Sequence, residues 1–357
     1  MRTALLLTLI STLLPGADKI SGGNGTLYLG GRPNKIFILD EATEKVTGEI
    51  MLKTGTPGGM SISQDRKRFY VHNIAFEDIE IVDIAQRKVI DSFRLSEGNK
   101  KMRLFGGEPD PLNRFMILFV KTAIKQVDRF EISPPALVQY DLTEHKVTRT
   151  IPWPKGEERE GVGMKFSPDG KLLYLFSGED ILIYDTATFK EVDKWELSKP
   201  LEDGLGRLNF GFPDDLNEEP GFYTSLFNMQ DPVQNRRIMG IARVNLAQKS
   251  VEFFPLGPAT GVSFSLAPGR QWAYGLHSEI GKYEFWSFDL ANHKLGVRTE
   301  FAGRPRMALK TSTNGKVLYI FQAGNTIDLY EAGTFRYLRT ITLDADMTTG
   351  LHVVAGR

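Results

Sequence analysis

The chain has 357 residues, 44 basic and 44 acidic side chains, 41% apolar and 25% charged content, and no cysteine. This is the composition of a globular chain, and a net charge of zero argues against a dedicated nucleic-acid or anionic-membrane partner. The missing cysteines exclude disulfides, thiolate metal sites, cysteine nucleophiles, iron–sulfur clusters and C-x-x-C-H haem attachment.

The chain opens on MRTALLLTLISTLLPGA, with one basic residue, Arg2, an apolar run from Ala4 to Leu14, and small residues at Gly16 and Ala17. The run is short for a bilayer span and has the grammar of a signal peptide over residues 1–17, which predicts a periplasmic or secreted mature chain. Pro15 is unfavourable so near a cut at Ala17, which leaves the cleavage site open, as it does use of the run as a buried strand or helix. Residues 18–25 form a short N-terminal segment before the first strand.

From Thr26 onward one pattern recurs. An apolar strand ends in Asp, Asn or Glu, a short polar turn follows, and a second strand leaves. The anchors are Asp40 in IFILDEATEKV, Asp83 in IEIVDIAQRKV, Asp141 in LVQYDLTEHKV, Asp185 in ILIYDTATFKEV, Asn245 in IARVNLAQKSV, Asp289 in FWSFDLANHKL and Glu331 in IDLYEAGTFRY. Asp and Asn suit the position because their side chains bond nearby backbone N–H groups and close the turn. Successive anchors lie 43, 58, 44, 60, 44 and 42 residues apart. A period near 44 is that of a four-stranded propeller blade.

The other half of the unit recurs as well. SQDRKRFYVH, SPDGKLLYLF, APGRQWAYGL and STNGKVLYIF each carry a tight turn ahead of an apolar strand. In KLLYLF apolar residues point both ways, as a strand between two neighbouring blades requires. Tyr174, Phe176, Trp272, Tyr274, Tyr319 and Phe321 recur in register, which predicts packing between blades. Each blade therefore reads as strand A before the tight turn, B after it, C ending at the anchor, and D beyond. The first repeat, from TLYLGG, lacks an inner strand, and GLHVVA follows a complete last repeat. The expected fold is an all-β, seven-bladed propeller over residues 26–357, its four-stranded antiparallel blades closed by the C-terminal strand joining blade one.

The two long spacings place inserts between strands B and C of blades three and five, about Lys121–Ala136 and Asn228–Gly240. B–C and D–A connections share one face, and loops longer than closure needs are often functional. That face is expected to dock partners or ligands. Its candidate residues are Asp128, Arg129, Asn228 and Asp231 from the inserts, Arg207, Arg304 and Arg306 from D–A loops, and His352 from the closing strand.

Catalytic signatures are absent. The five histidines, His72, His145, His277, His293 and His352, show no metal-ligand spacing, and His145 and His293 fall in exposed C–D turns. There is no G-x-S-x-G elbow and no phosphate-binding loop. DGLGRLNFG precedes a strand rather than a helix. PDDLNEEPG pairs Asp214 with Asp215 and Glu218 with Glu219 but lacks the alternation of a calcium loop, and it reads as a solvated segment.

The repeats resemble those of YVTN-type bacterial propellers. More narrowly, RPNKIFILDEATEKV, the insert QVDRFEISPPALVQYD, the insert before GIARVNL, and FSLAPGRQWAYGLHSEIGKYEFWSFDLANHKL resemble the propeller β subunit of quinohaemoprotein amine dehydrogenase, and more distantly the methylamine dehydrogenase heavy chain. The resemblance implies a periplasmic, amine-oxidising complex. In it a dihaem cytochrome subunit and a small subunit with a tryptophan-derived quinone carry the c-type haem, the quinone and the catalytic base. The propeller would hold those partners, help wall the active site and bind no cofactor itself. Two alternatives stay open: a stand-alone lactonase-like hydrolase with Arg207, Arg304 and His352 at the channel mouth, and an envelope propeller that binds a protein or glycan.

Overall fold

The computed structural model describes residues 20–159, 161–176, 180–197, 209–210, 215–321 and 324–356. The signal-peptide expectation for residues 1–17, most of DGLGRLNFG, and Arg207 lie outside them.

Seven antiparallel sheets form a ring of blades with strand order A-B-C-D. Blade two is the plain case, with strands Pro57–Ile62, Arg68–Asn73, Asp78–Asp83 and Lys88–Arg94. In blade one strand A is the C-terminal His352–Val354, followed by Thr26–Gly31, Lys35–Asp40 and Lys45–Met51. Thr26, Leu27 and Tyr28 pair with Val354, Val353 and His352, so the end of the chain closes the ring as the repeat pattern requires.

Turn chemistry explains the regularity. At the seven C–D turns the residue four beyond the anchor has positive φ: Glu44, Arg87, His145, Phe189, Lys249, His293 and Phe335. Asp40 Oδ1 accepts from Thr43 N–H and hydroxyl, and Asp185 Oδ1 does the same with Thr188. Asp83, Asn245 and Asp289 each accept from the N–H three residues on. Those bonds hold the Asp40, Asp185 and Asp289 carboxyls below the usual aspartate range. At the A–B turns Ser63, Ser167 and Ser312 play the matching part, each hydroxyl donating to Asp65, Asp169 or Asn314 and accepting from the next strand's first N–H.

Each pair of neighbouring blades shares an apolar cluster. In blade four Leu173 and Leu175 pack toward blade three, and Tyr174 packs toward blade five. Burial on both faces of a strand is what the continuous apolar runs demanded. Trp272 departs from its expected seam position. It begins strand B opposite the anchor Asp289, at the face of the ring, and is 41% exposed.

The inserts are strands rather than loops. In blade three, strand B runs Phe115–Lys125. Its outer edge is shared by strand C, Ala136–Asp141, and an added strand, Phe130–Ile132. In blade five, B (Phe222–Asp231) and C (Arg236–Asn245) form one long hairpin. Blade six does the same with Trp272–Glu279 and Lys282–Asp289.

A buried carboxylate fastens the seam between blades seven and one. Glu41, 1% exposed, accepts from the N–H groups of Gly25 and Thr313 at 2.8 and 2.9 Å, and from the hydroxyls of Tyr319 and Thr313. A Cβ on Gly25 would meet Thr313 Cγ2 at 2.5 Å and Val354 O at 2.7 Å, so the incoming chain passes there as glycine.

Candidate functional site

The seven inner strands surround a central cavity of about 550 Å³. The pairing register determines what faces it. The residue opposite the third residue of strand B is Ser61 in blade two, Glu108 in three, Lys165 in four, Ser265 in six, Lys310 in seven and His352 in one. All but Ser265 line the cavity, so blades seven, one, two, three and four present Lys310, His352, Ser61, Glu108 and Lys165 in consecutive order. Lys165 Nζ stands 3.9 Å from Glu108 Oε1. His352 Nε2 donates to Met60 O at 3.0 Å, joining the closing strand to blade two. Ser61 Oγ is buried without a hydrogen-bond partner. Met60, Ile62, Phe166, Leu216 and Phe264 supply apolar wall.

One end of the cavity is crossed by the A–B connection of blade five. A 3-10 turn, Asp215–Asn217, places Leu216 against the cavity. Arg66, from the A–B turn of blade two, donates to Leu216 O at 2.6 Å, while Asn217 Nδ2 donates to Leu266 O at 2.7 Å. The segment thus ties together blades two, five and six. Glu218 is not solvated, contrary to the sequence expectation, while Glu219 beside it stays exposed. Glu218 is 7% exposed and takes bonds from Thr224 and Arg243, and Glu219 is held by Arg243 at 3.1 Å and Arg270 at 2.5 Å. Charge pairing with arginines behind the wall made burial possible, and PDDLNEEPG alone carries no sign of those arginines. Among the described residues no group of three or more His, Asp or Glu side chains is placed to hold a metal ion.

The expected site residues divide. His352 lines the cavity. Arg304 donates to Asp328 at 2.9 Å and to Thr326 O at 2.9 Å, both on strand C of blade seven, and does not line the cavity. Arg306 is exposed at a positive-φ turn position. Asp128 and Arg129 lie at the tip of the blade-three extension, where Arg129 pairs with Asp128 at 3.3 Å and Glu131 at 3.0 Å. Asn228 is half-buried in strand B of blade five, and Asp231 Oδ1 closes that hairpin's turn by accepting from Val233 and Gln234. The convergence of Arg304 with His352 that a hydrolase centre called for is not formed.

Sequence reading missed the apolar character of the B–C face. Every large apolar side chain more than about 60% exposed among the described residues sits on a B–C extension: Val127 at 105%, Phe130 at 66%, Ile132 at 70%, Val233 at 86% and Ile280 at 105%. The signal was available in QVDRFEI, DPVQN and SEIGK, where an apolar residue stands inside turn chemistry.

His145 and His293 are exposed in C–D turns, and His293 stacks on Phe254 with centroids 4.3 Å apart. His277 bonds Gly261 O at 2.9 Å. His72 is the perturbed one: burial holds it down to about 4, and its Nδ1 has no partner.

No family model matches the chain, and no curated protein matches it. Solved structures similar to it include a functionally unknown protein from Desulfotomaculum acetoxidans DSM 771, at 14% identity and TM-score 0.53 over 93% of this chain and 99% of that one. The Cps50 (Swd1) β-propeller domain of Myceliophteria thermophila matches at 13% and 0.52 over 85% and 94%. The dihydro-heme d1 dehydrogenase NirN, in complex with DHE, matches at 11% and 0.50 over 96% and 77%. At these identities the likeness establishes the propeller fold. No helix among the described residues is long and apolar enough to cross a membrane.

Proposed function

We propose that this chain is the non-catalytic propeller subunit of an exported, multi-subunit oxidoreductase of the amine dehydrogenase kind. The observation that carries the docking part of the reading is the apolar set Val127, Phe130, Ile132, Val233 and Ile280, gathered on the B–C extensions of blades three, five and six. Side chains of this kind cost solubility when left in water, and a contiguous partner surface removes that cost. The sequence resemblance supports the identity of the partners as a dihaem cytochrome and a small quinone-bearing chain. The absence of cysteine in this chain agrees with redox groups held by partners rather than here.

The test is purification from the native host through an affinity tag on this chain. Co-elution of a c-type haem spectrum and a small quinone-staining polypeptide, with amine-dependent dye reduction, is the expected result. A colourless, monomeric product from cells that express the chain at native level overturns it.

A further inference from the structure

We infer that one face of the blade-three extension docks an acidic partner protein, whose carboxylates meet Lys101, Arg103 and Lys125 around the apolar pair Phe130 and Ile132. The inference rests on the docking part of the reading above. It adds the partner's chemistry and the face that meets it.

Register sorts the side chains of the extension. Strand A of blade three, Lys100–Pro109, pairs with strand B, which pairs in turn with the added strand Phe130–Ile132. Residues directly opposite one another in an antiparallel pair share a face. One face therefore carries the rows Arg103–Lys121, Lys101–Ala123–Ile132 and Lys125–Phe130. The other carries the row Glu97–Lys100–Ile124–Glu131. The charges are segregated: four cations and no acid stand in the rows of the first face, and the acids Glu97 and Glu131 stand on the second. In a chain with 44 basic and 44 acidic side chains this is a local excess of positive charge.

Contacts within the chain order this face without reversing its sign. Lys101 meets Glu77, from the B–C turn of blade two, at 2.8 Å. Lys121 stands over the Phe105 ring, 5.3 Å from its centre, and Phe105 stacks on Phe76 with centroids 5.4 Å apart. One carboxylate thus meets four cations, and aromatic surface borders them. Lys101, Arg103, Lys125, Phe130 and Ile132 are all exposed.

The chemistry selects the partner. A guanidinium and lysine ammonium groups make their strongest bonds to carboxylates, and Phe130 and Ile132 suit an apolar side chain set among those carboxylates. Charge of one sign around such a pair steers an oppositely charged protein and makes its binding sensitive to salt. An anionic bilayer is the competing occupant. On the same side of the ring, however, Glu279 is 67% exposed beside Ile280, and it would repel such a surface. A protein can match the sign of each extension separately.

The experiment is purification of the affinity-tagged full chain from its native host at low salt, as the parent and as two double variants. The parent is expected to retain partner chains that about 0.5 M salt releases. Arg103→Glu with Lys125→Glu is expected to recover them about tenfold less well or worse. Lys88→Glu with Lys100→Glu makes the same change of charge on the rim and on the opposite face, and is expected to retain them. A carbodiimide, which joins amines directly to carboxylates, is expected to link Lys101 or Lys125 to Asp or Glu of a partner, read by mass spectrometry. Melting temperatures check that each variant is folded. Full retention of partners by the Arg103 and Lys125 variant, partner cross-links confined to other faces, or a lone parent chain overturns the inference. So does flotation of the chain with phosphatidylglycerol vesicles that is lost in that variant, which would assign the face to a membrane. Haem- and quinone-bearing partners retained by the variant would sink this inference and leave the oxidoreductase reading standing. Partners without haem or quinone that the variant loses would do the reverse.

Discussion

Tyr28 and His352 are register partners in the antiparallel pair that closes the ring, although 324 positions separate them in sequence. Leu351, 1% exposed, packs in the cluster shared by blades seven and one. A chain ending at Thr349 loses these pairs and exposes an edge of blade one. Deleting residues 350–357 is expected to lower the melting temperature by roughly 6 °C or more, given at least about 4 kcal/mol for a buried leucine plus a strand pairing. Differential scanning calorimetry of the truncated chain checks it. An unchanged melting temperature would mean that the strand is ornamental.

Glu41 is the second fastening. Its carboxylate serves two backbone N–H groups and two hydroxyls from three separate stretches of chain. Glu41→Ala leaves Gly25 N, Thr313 N and Tyr319 Oη without an acceptor, and is expected to cost about 3–5 kcal/mol. Glu41→Gln keeps one acceptor oxygen and is expected to cost less. Urea denaturation of the two variants, with unchanged slope, measures the difference.

His72 sets an acid limit. Its folded value is held down to about 4 from the ordinary 6.5 because the ring is buried in strand B of blade two. A depressed histidine favours the neutral ring, so its contribution is intact above 6.5 and is lost as pH falls toward 4. The size of the shift corresponds to a loss of about 3 kcal/mol across that window. In His72→Leu the fall between pH 7 and 4 is expected to flatten by that amount. Denaturation midpoints across the pH series decide it, and parallel curves for both proteins would remove His72 from the account.

The C–D anchors offer a smaller effect of known sign. Asp185→Ala removes two turn bonds from Thr188 at the ring's plainest blade. A small loss of stability is expected, since the turn is exposed and water replaces part of what is lost. Asp185→Asn, which keeps the acceptor, is expected to lose less than Asp185→Ala, and urea denaturation midpoints of the two variants check the order.

These turns also show why the fold was so legible. An anchor such as Asp185 needs only local geometry to act, so seven copies of the same short grammar declare seven blades before any tertiary contact is considered. The closing strand was legible by elimination, because blade one lacked an inner strand and the chain had one to spare. The site was less so. His352 reaches the cavity because the closing strand was placed correctly, but Lys165 and Lys310 could be found only by laying each inner strand against its partner in register. Glu218 was misread because its partners, Thr224 and Arg243, come from strands beyond its own loop. Arg304 was placed at the channel mouth on loop position alone, whereas Asp328 and the Thr326 carbonyl draw it onto blade seven. Long-range charge pairing leaves no periodic trace in a sequence.

The exposed tips give the test that separates docking from folding. Val233, at 86% exposure, touches little of its own chain, and Val127 and Ile280 still less. Replacing a fully exposed apolar side chain by Asp changes stability by no more than about 0.5 kcal/mol. An apolar anchor buried at the centre of an interface is worth about 2 kcal/mol or more, close to thirtyfold in affinity. The triple change Val127→Asp, Val233→Asp and Ile280→Asp is therefore expected to leave the melting temperature unaltered while partner chains are lost from the affinity-purified complex. The same triple change made on the outer rim, at Val147, Val192 and Val297, is expected to retain them, because D strands face solvent all around the ring. Partner loss from the rim variant and retention by the tip variant would move the docking surface to the propeller's side.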